Sequence, residues 1–291
     1  MKIILCPNPF RDKGIRNARH AERILAGAGV DTVICFPFPV EREVLGDQAL
    51  SAKIRDLKAE LSGADFLVCF GGDGTILHAA KDASAFDVPV IGVNMGSVGF
   101  MAELEQNDLQ PLLRLVEGKY TLQRRMLLDV KVIRDGRVIF RSGALNDAVV
   151  TKGAVARVID LEVYSEKVLI TNIYGDGVIL ATPTGSTAYS LSAGGPIVEP
   201  TAESIVMTPI SAHMLQAKAM VLDKSRTINV TVPKQSRKTA YLSVDGGKAF
   251  KLFAGDTVQV VRSKRHLSLV QLSDKSFFEI INQKLERRIR P

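Results

Sequence analysis

The chain has 291 residues, 46% of them hydrophobic and 24% charged, a composition that excludes a disordered or fibrous protein. Its net charge of +7 is uneven: from Asp223 to Pro291, 15 Lys+Arg stand against 6 Asp+Glu, so this stretch carries +9 and the remainder −2. Such a basic end attracts anionic metabolites or nucleic acid, but it lacks the RNA-recognition signature, zinc-finger spacing and basic-zipper heptads. Lys284, Arg287, Arg288 and Arg290 read as a solvated helix face, and no nucleic-acid partner is expected. The opening apolar run, Met1 to Phe10, is cut off by Arg11, Asp12 and Lys13, too early for a signal peptide. No run reaches the roughly 18 apolar residues of a membrane span. A cytoplasmic protein with no membrane partner is expected. Cys6, Cys35 and Cys69 are odd in number and widely spaced, which points to buried reduced thiols rather than a disulfide or zinc framework.

The first third alternates strand and helix patterns. Lys2 to Cys6 reads as a strand. Ile15 to Ala28 reads as an amphipathic helix, with Ala18, Ala21, Ile24, Leu25 and Ala28 at helical spacing and Gly29 closing it. Thr32 to Phe36, Asp65 to Phe70 and Val88 to Val93 are further strands, and Ala49 to Leu61 and Leu109 to Val116 further helices. This alternation predicts a mostly parallel sheet covered by helices. Beyond Tyr120 the pattern changes to strands and turns. Leu127 to Ile133 and Arg137 to Ser142 flank Asp135-Gly136, a hairpin signal. Val158 to Tyr164 and Val168 to Tyr174 form a second pair. Thr227 to Val232, Ala240 to Val244, Thr257 to Val261 and Leu267 to Leu272 follow, interrupted by a helix near Ser186. A tail helix spans Phe277 to Arg288. The expected organisation is an N-terminal Rossmann-like α/β domain over 1–122, a mostly β domain of sandwich type over 123–273, and a C-terminal helix over 274–291.

Four groups of residues carry chemistry. Gly71-Gly72-Asp73-Gly74-Thr75 lies between a strand and a helix, where glycines let the backbone turn tightly and the N–H groups of the helix start meet phosphate oxygens. It stands at the carboxyl end of a strand, the ligand edge of an open α/β sheet. An acid in such a loop suits a base for an attacking hydroxyl or a magnesium contact; a helix cap reads equally well. Thr182 to Ser190, with Ser192 and Gly194-Gly195-Pro196, is rich in donors and poor in bulk, and Tyr189 adds a flat face suited to a ribose and base; Ser186 also reads as a plain helix cap. Asn146-Asp147, Asp176 between Gly175 and Gly177, and Asp245 before Gly246-Gly247 are acids at strand ends or turns. Each alone also reads as an ordinary turn residue, as Asp135-Gly136 does. Asn94 to Phe100 is a second glycine-rich segment after a strand, expected on the same sheet edge as Gly71 to Thr75.

Together these segments resemble the NAD kinase family over nearly the whole chain. The run Pro183 to Pro196 is the most specific; the Gly71 to Thr75 motif alone is shared with lipid kinases and looks like that of 6-phosphofructokinases. The resemblance implies phosphorylation of the 2′-hydroxyl of the adenosine ribose of NAD, with ATP or polyphosphate as donor and Mg²⁺ accompanying ATP. It implies Asp73 as the general base, Gly71, Gly72, Gly74 and Thr75 around the donor phosphates, and His78 and Phe100 near the nucleotide. It further implies NAD contacts from Asn146, Asp147, Arg157, Tyr174, Asp176, Thr187, Ala188, Tyr189, Ser190, Ser192 and Asp245, and a homo-oligomer, dimer or tetramer, whose β domains pack together. No metal ligand of the protein itself is assigned. Asp147 stands where the family commonly has Glu, Tyr174 where it has Arg, Lys218-Ala219 where it has Arg-Pro, and Gly247 where it has Gln. These departures bear on the choice between NAD and NADH. A lipid kinase and a non-catalytic nucleotide-sensing module are the competing readings.

Overall fold

The computed structural model describes residues 1–40, 54–96, 99–153, 157–213, 217–274 and 276–282. They fall into two compact units, one formed by Met1–Arg124 with the chain from Leu267 onward, the other by Arg125–His266. The sequence reading set these limits at 122 and 274.

The first unit is α/β. Its strands are β1 (Lys2–Pro7), β2 (Asp31–Cys35), β3 (Ile54–Arg55), β4 (Phe66–Gly71), β5 (Val90–Asn94) and β6 (Ala102–Glu105). The first five form a parallel sheet in the order β3-β2-β1-β4-β5. The buried cores of its inner strands, Ile3 to Cys6, Val33 to Cys35 and Phe66 to Phe70, are apolar on both faces, as in a parallel sheet covered on both sides. The helix Arg16–Gly27 after β1 buries Ala18, Ala21 and Leu25 against Ile3, Leu5 and Val68. It ends as Gly29, at φ +75°, donates to the Ala26 carbonyl while Val30 donates to that of Leu25. The order of strands reverses between β1 and β4, the switch point at which open α/β sheets bind ligands.

One expectation here is corrected. The helix expected over Ala49 to Leu61 starts only at Leu57; residues 49–53 lie outside the described set. Ile54 and Arg55 pair in parallel with Ile34 and Cys35, and Asp56 then caps the helix Leu57–Leu61 by accepting the Ala59 N–H. The three cysteines are buried, and burial pushes the thiols of Cys6 and Cys35 up, the latter to about 12. The returning chain is clasped by Glu103, whose Oε1 accepts the N–H groups of Leu272 and Ser273 and the Ser273 hydroxyl. Residues 277–282 are helical; the rest of the expected tail helix lies outside the described residues.

The second unit is a β-sandwich. Its strands are β7 (Thr121–Arg134), β8 (Arg137–Ala144), β9 (Asp147–Lys152), β10 (Ile159–Ser165), β11 (Val168–Gly175), β12 (Gly177–Ala181), β13 (Ser204–Ile210), β14 (Met220–Asp223), β15 (Ile228–Thr231), β16 (Ala240–Val244), β17 (Phe250–Leu252) and β18 (Thr257–Gln271). One antiparallel sheet has the order β14-β13-β12-β9-β16-β17; β11-β10-β15-β18, with β7 and β8 beyond β18, form the other. Alternating side chains from both sheets, among them Leu128, Val130, Val150, Leu161, Leu180, Met207, Val230, Leu242 and Val258, make one core. β18 is a single strand rather than two. Arg262 to His266 reads as a polar break, yet Ser263 is buried within it and the ladder continues to Gln271. The helix expected near Ser186 is a 3₁₀ turn, Thr184–Thr187, followed by one α turn, Tyr189–Ser192.

Candidate active site

The glycine loop is held at the switch point by side chains that need glycine. Gly71 ends β4, and a Cβ there would lie 2.1 Å from Thr75 Oγ1. Thr75 is buried, and its hydroxyl accepts a hydrogen bond from Asn8 Nδ2 at 3.1 Å, while the Asn8 N–H donates to the Phe70 carbonyl. The ends of β1 and β4 are thereby tied together. Gly72 is the N-cap of the helix Asp73–Ala85, with extended backbone and no side chain to close the helix start. The Thr75 N–H turns back to the Gly72 carbonyl at 2.9 Å, and the Asp73 and Gly74 N–H groups before it have no acceptor within the helix.

Asp73 opens that helix but does not cap it. Its Oδ2 accepts the Phe100 N–H at 2.7 Å and its Oδ1 the Met101 N–H at 3.0 Å. The second glycine-rich segment thus grips the carboxylate of the first, and a Cβ on Gly99 would fall 2.2 Å from Asp73 Oδ1. The two segments also join where Met95 N–H donates to the Gly71 carbonyl. Buried Asn94 shapes the second by accepting the Gly96 N–H and donating to Glu105. Ser97 and Val98 lie outside the described residues. Asp73 is half-buried, so its carboxylate is oriented by the backbone while still reachable. His78 lies further along the helix, exposed, with Phe38 edge-on at 5.3 Å; Phe38 in turn stacks on Phe10 at 6.1 Å. Neither phenylalanine was singled out from the sequence, where an isolated Phe gives no signal.

In the sandwich, Asn146-Asp147 and Thr182–Thr187 pack into one corner. Thr182 donates its hydroxyl to the Leu145 carbonyl at 2.5 Å and its N–H to that of Asn146 at 2.8 Å, and accepts the Gly185 N–H. A Cβ on Gly185 would stand 2.0 Å from the Asn146 carbonyl oxygen, so only glycine permits this approach. Asp147 is 5% exposed. Burial, and second the charge of Asp245, push its carboxyl up to about 7. Asp245 itself receives the backbone N–H groups of residues 145 to 147.

The hydroxyl-rich run turns largely inward. Ser186 bonds the Pro183 carbonyl and the Val198 N–H, Ser190 pairs with Thr208 at 2.8 Å, and Thr187 donates to the Thr184 carbonyl. The Thr184 hydroxyl is buried with no partner among the described residues. Half-buried Ala188 links the two turns. Tyr189, 45% exposed, and exposed Ser192 are the members that face outward. Asp176 forms an ion pair with Lys152 at 2.7 Å. Tyr174 lies at the end of β11, its ring under Lys238 and edge-on to His213. It borders a groove of about 480 Å³ that Asp160, Asn172 and Gln235 also line. Arg157 is exposed; residues 154–156 beside it lie outside the described set.

Known proteins match this chain from end to end. Residues 38–120 match the model of the ATP-NAD kinase N-terminal domain, and residues 145–272 that of the ATP-NAD kinase C-terminal domain. The chain is 36% identical over 289 residues to the NAD kinase of Acetivibrio thermocellus, covering 99% of this chain and 98% of that one. It is 40% identical over 252 residues to the NAD kinase of Edwardsiella ictaluri, covering 86% of each. Among solved structures, an NAD kinase from Archaeoglobus fulgidus in complex with ATP superposes with a TM-score of 0.72 at 25% identity, covering 98% of this chain and 99% of that one. Yeast NADH kinase complexed with NADH has the same fold, with a TM-score of 0.82 at 24% identity, covering 100% of this chain and 89% of that one. The chain therefore belongs to the NAD kinase family, as an enzyme of that family.

Proposed function

We infer that this enzyme phosphorylates the 2′-hydroxyl of the adenosine ribose of NAD, with ATP as donor, giving NADP and ADP. The observation that carries this reading is the orientation of Asp73: in a chain of this family, the acid of the glycine loop is gripped by the Phe100 and Met101 N–H groups and remains half-exposed. Asp73 takes the proton of the attacking hydroxyl. The oxygen–phosphorus bond forms at the γ-phosphorus as its bond to the β–γ bridging oxygen breaks, and ADP leaves with that electron pair. The N–H groups at the start of helix Asp73–Ala85 stabilise the phosphoryl oxygens. A positioned base contributes roughly 10²–10⁴-fold. Polyphosphate, another chain of phosphoanhydrides, suits the same loop.

Among the described residues no group of three or more His, Cys, Asp or Glu side chains could hold a metal ion. Mg²⁺ would arrive with the nucleotide, since that ion is commonly held by substrate phosphates, waters and only one or two carboxylates. Mg²⁺ would neutralise charge on the donor phosphates, and Asp73 is the loop acid able to face it.

The β unit supplies the acceptor contacts through Asn146, Asp147, Tyr174, Asp176 and the run Thr187 to Ser192, with Arg157 at the edge. The match to an ATP-NAD kinase C-terminal domain favours a nucleotide acceptor over a lipid. No helix among the described residues is long and apolar enough to cross a membrane, which is compatible with a cytoplasmic enzyme. Exposed Val168, Leu169, Val138 and Ile139 on the hairpins of the β unit suit packing against further copies. Light scattering of the purified protein tests that assembly, and a monomer at micromolar concentration would refute it. The reaction is tested by mixing the protein with ATP, Mg²⁺ and NAD and reading NADP with an NADP-specific dehydrogenase. NADP formation is expected; NAD binding without NADP would point instead to a sensing module.

A further inference from the structure

Asp245 occupies a turn whose local chemistry does not account for it. The Gly247 N–H donates to the Val244 carbonyl at 2.9 Å, and the two residues between them are left-handed, Asp245 at φ +50° and Gly246 at φ +68°. Asp-Gly suits such a turn, but Asn-Gly and Gly-Gly suit it as well. The carboxylate does what those residues cannot. Its Oδ2 accepts the Leu145 N–H at 2.8 Å, and its Oδ1 accepts the N–H groups of Asn146 at 2.8 Å and Asp147 at 3.0 Å. The Asp245 N–H, in return, donates to the Asp147 carbonyl at 3.0 Å.

Three consecutive backbone donors therefore converge on one side chain about a hundred residues away in sequence. They belong to the segment that carries Asn146 and Asp147 and receives Thr182 from its other side. A single amide oxygen cannot take the same three bonds across two positions, and an Asn NH₂ group would oppose one of the N–H groups. Asp135-Gly136 is the internal control. Its residues are also left-handed, at φ +48° and +75°, and it closes the hairpin of β7 and β8. Among the described residues its carboxylate takes no comparable set of backbone bonds.

We propose that Asp245 is a positioning residue for the acceptor: its carboxylate folds residues 145 to 147 so that Asn146 and Asp147 are presented to NAD, without touching NAD itself. The proposal rests on the reading of Asn146 and Asp147 as acceptor contacts.

The test is steady-state kinetics on the full-length enzyme with NAD and ATP varied in turn, for Asp245→Asn, Asp245→Gly and the control Asp135→Gly. Asp245→Gly keeps the left-handed backbone at no steric cost, so the hairpin survives the loss of the carboxylate; thermal melting checks this. Both Asp245 variants are expected to raise KM for NAD at least tenfold while KM for ATP stays within twofold. Asp135→Gly should change neither. A second readout separates positioning from loss of stability. The Asp245 charge helps hold the Asp147 proton, so the midpoint of the pH dependence of NAD binding, followed by calorimetry, should move down in Asp245→Asn. An unchanged KM for NAD in folded Asp245→Gly, or equal rises for NAD and ATP, would overturn the proposal. If wild-type enzyme makes NADP and an Asp147→Asn variant keeps the wild-type KM for NAD, the acceptor reading beneath it fails instead.

Discussion

The α/β unit and the sandwich each use backbone N–H groups to fix a carboxylate, with different consequences. In the first, Phe100 and Met101 donate to Asp73, and the acid stays half-exposed beside a glycine loop. In the second, residues 145 to 147 donate to Asp245, and the neighbouring acid, Asp147, is buried with its carboxyl pushed up to about 7. The N–H groups aim the acid in one unit; the acid shapes the backbone in the other. A carboxylate's hydrogen bonds thus do not reveal its role until one asks which partner is free to meet a ligand.

The largest test of this contrast is Asp73→Asn. The amide keeps the size of the side chain but cannot take the proton, so turnover should fall about 10²–10⁴-fold. Calorimetry should find NAD affinity within about threefold of wild type, since the proposed acceptor contacts lie on other residues. Next is Gly71→Ala. Its Cβ would collide with Thr75, and displacing the loop by a fraction of an ångström should lower kcat about 10–100-fold. Thermal melting should also record overpacking of about 1–3 kcal/mol.

Asp147→Asn is a stability test. Native Asp147 holds its proton up to about pH 7, whereas an unfolded Asp loses it near its ordinary value of 3.8. The native state binds more protons in that window, so this group's contribution to stability is complete below about pH 3.8 and is lost as pH rises through about 7. Removing the charge should stabilise the protein at pH 8 by on the order of 2–4 kcal/mol and change little at pH 4. A variant equally destabilised at both pH values would mean that Asp147 is held by bonds to its ionised form.

Much of this contrast was legible in the chain. Apolar runs separated by helical patterns gave the parallel sheet, and glycines after Phe70 and Val93 placed the loops at its ligand edge. Asp73 could be singled out, but that its carboxylate does not cap the helix shows only in the Phe100 and Met101 N–H groups, 27 and 28 residues away. No local pattern carries such a contact. Strands Ser204–Ile210 and Met220–Asp223 were not anticipated. Pro209 interrupts the first as a sequence pattern, yet it sits paired opposite Val178 in β12. The hydroxyls of Thr182 to Ser192 looked like a binding surface because composition does not tell inward from outward. Ser186 and Ser190 spend theirs on the fold, while Tyr189 faces outward. Asp245 and Asp135 were indistinguishable as Asp-Gly turns; only the long-range contacts of the first separate them.

The most direct test of this division of labour sets two glycine variants side by side. Gly99→Ala forces a methyl group against Asp73, and Gly185→Ala forces one against the Asn146 carbonyl. Steady-state kinetics of NADP formation, with NAD varied at saturating ATP, should show Gly99→Ala losing kcat with KM for NAD kept. Gly185→Ala should show KM for NAD raised about tenfold or more with kcat largely kept. The reverse pattern, or the same change in both variants, would contradict the assignment of chemistry to one unit and of acceptor binding to the other.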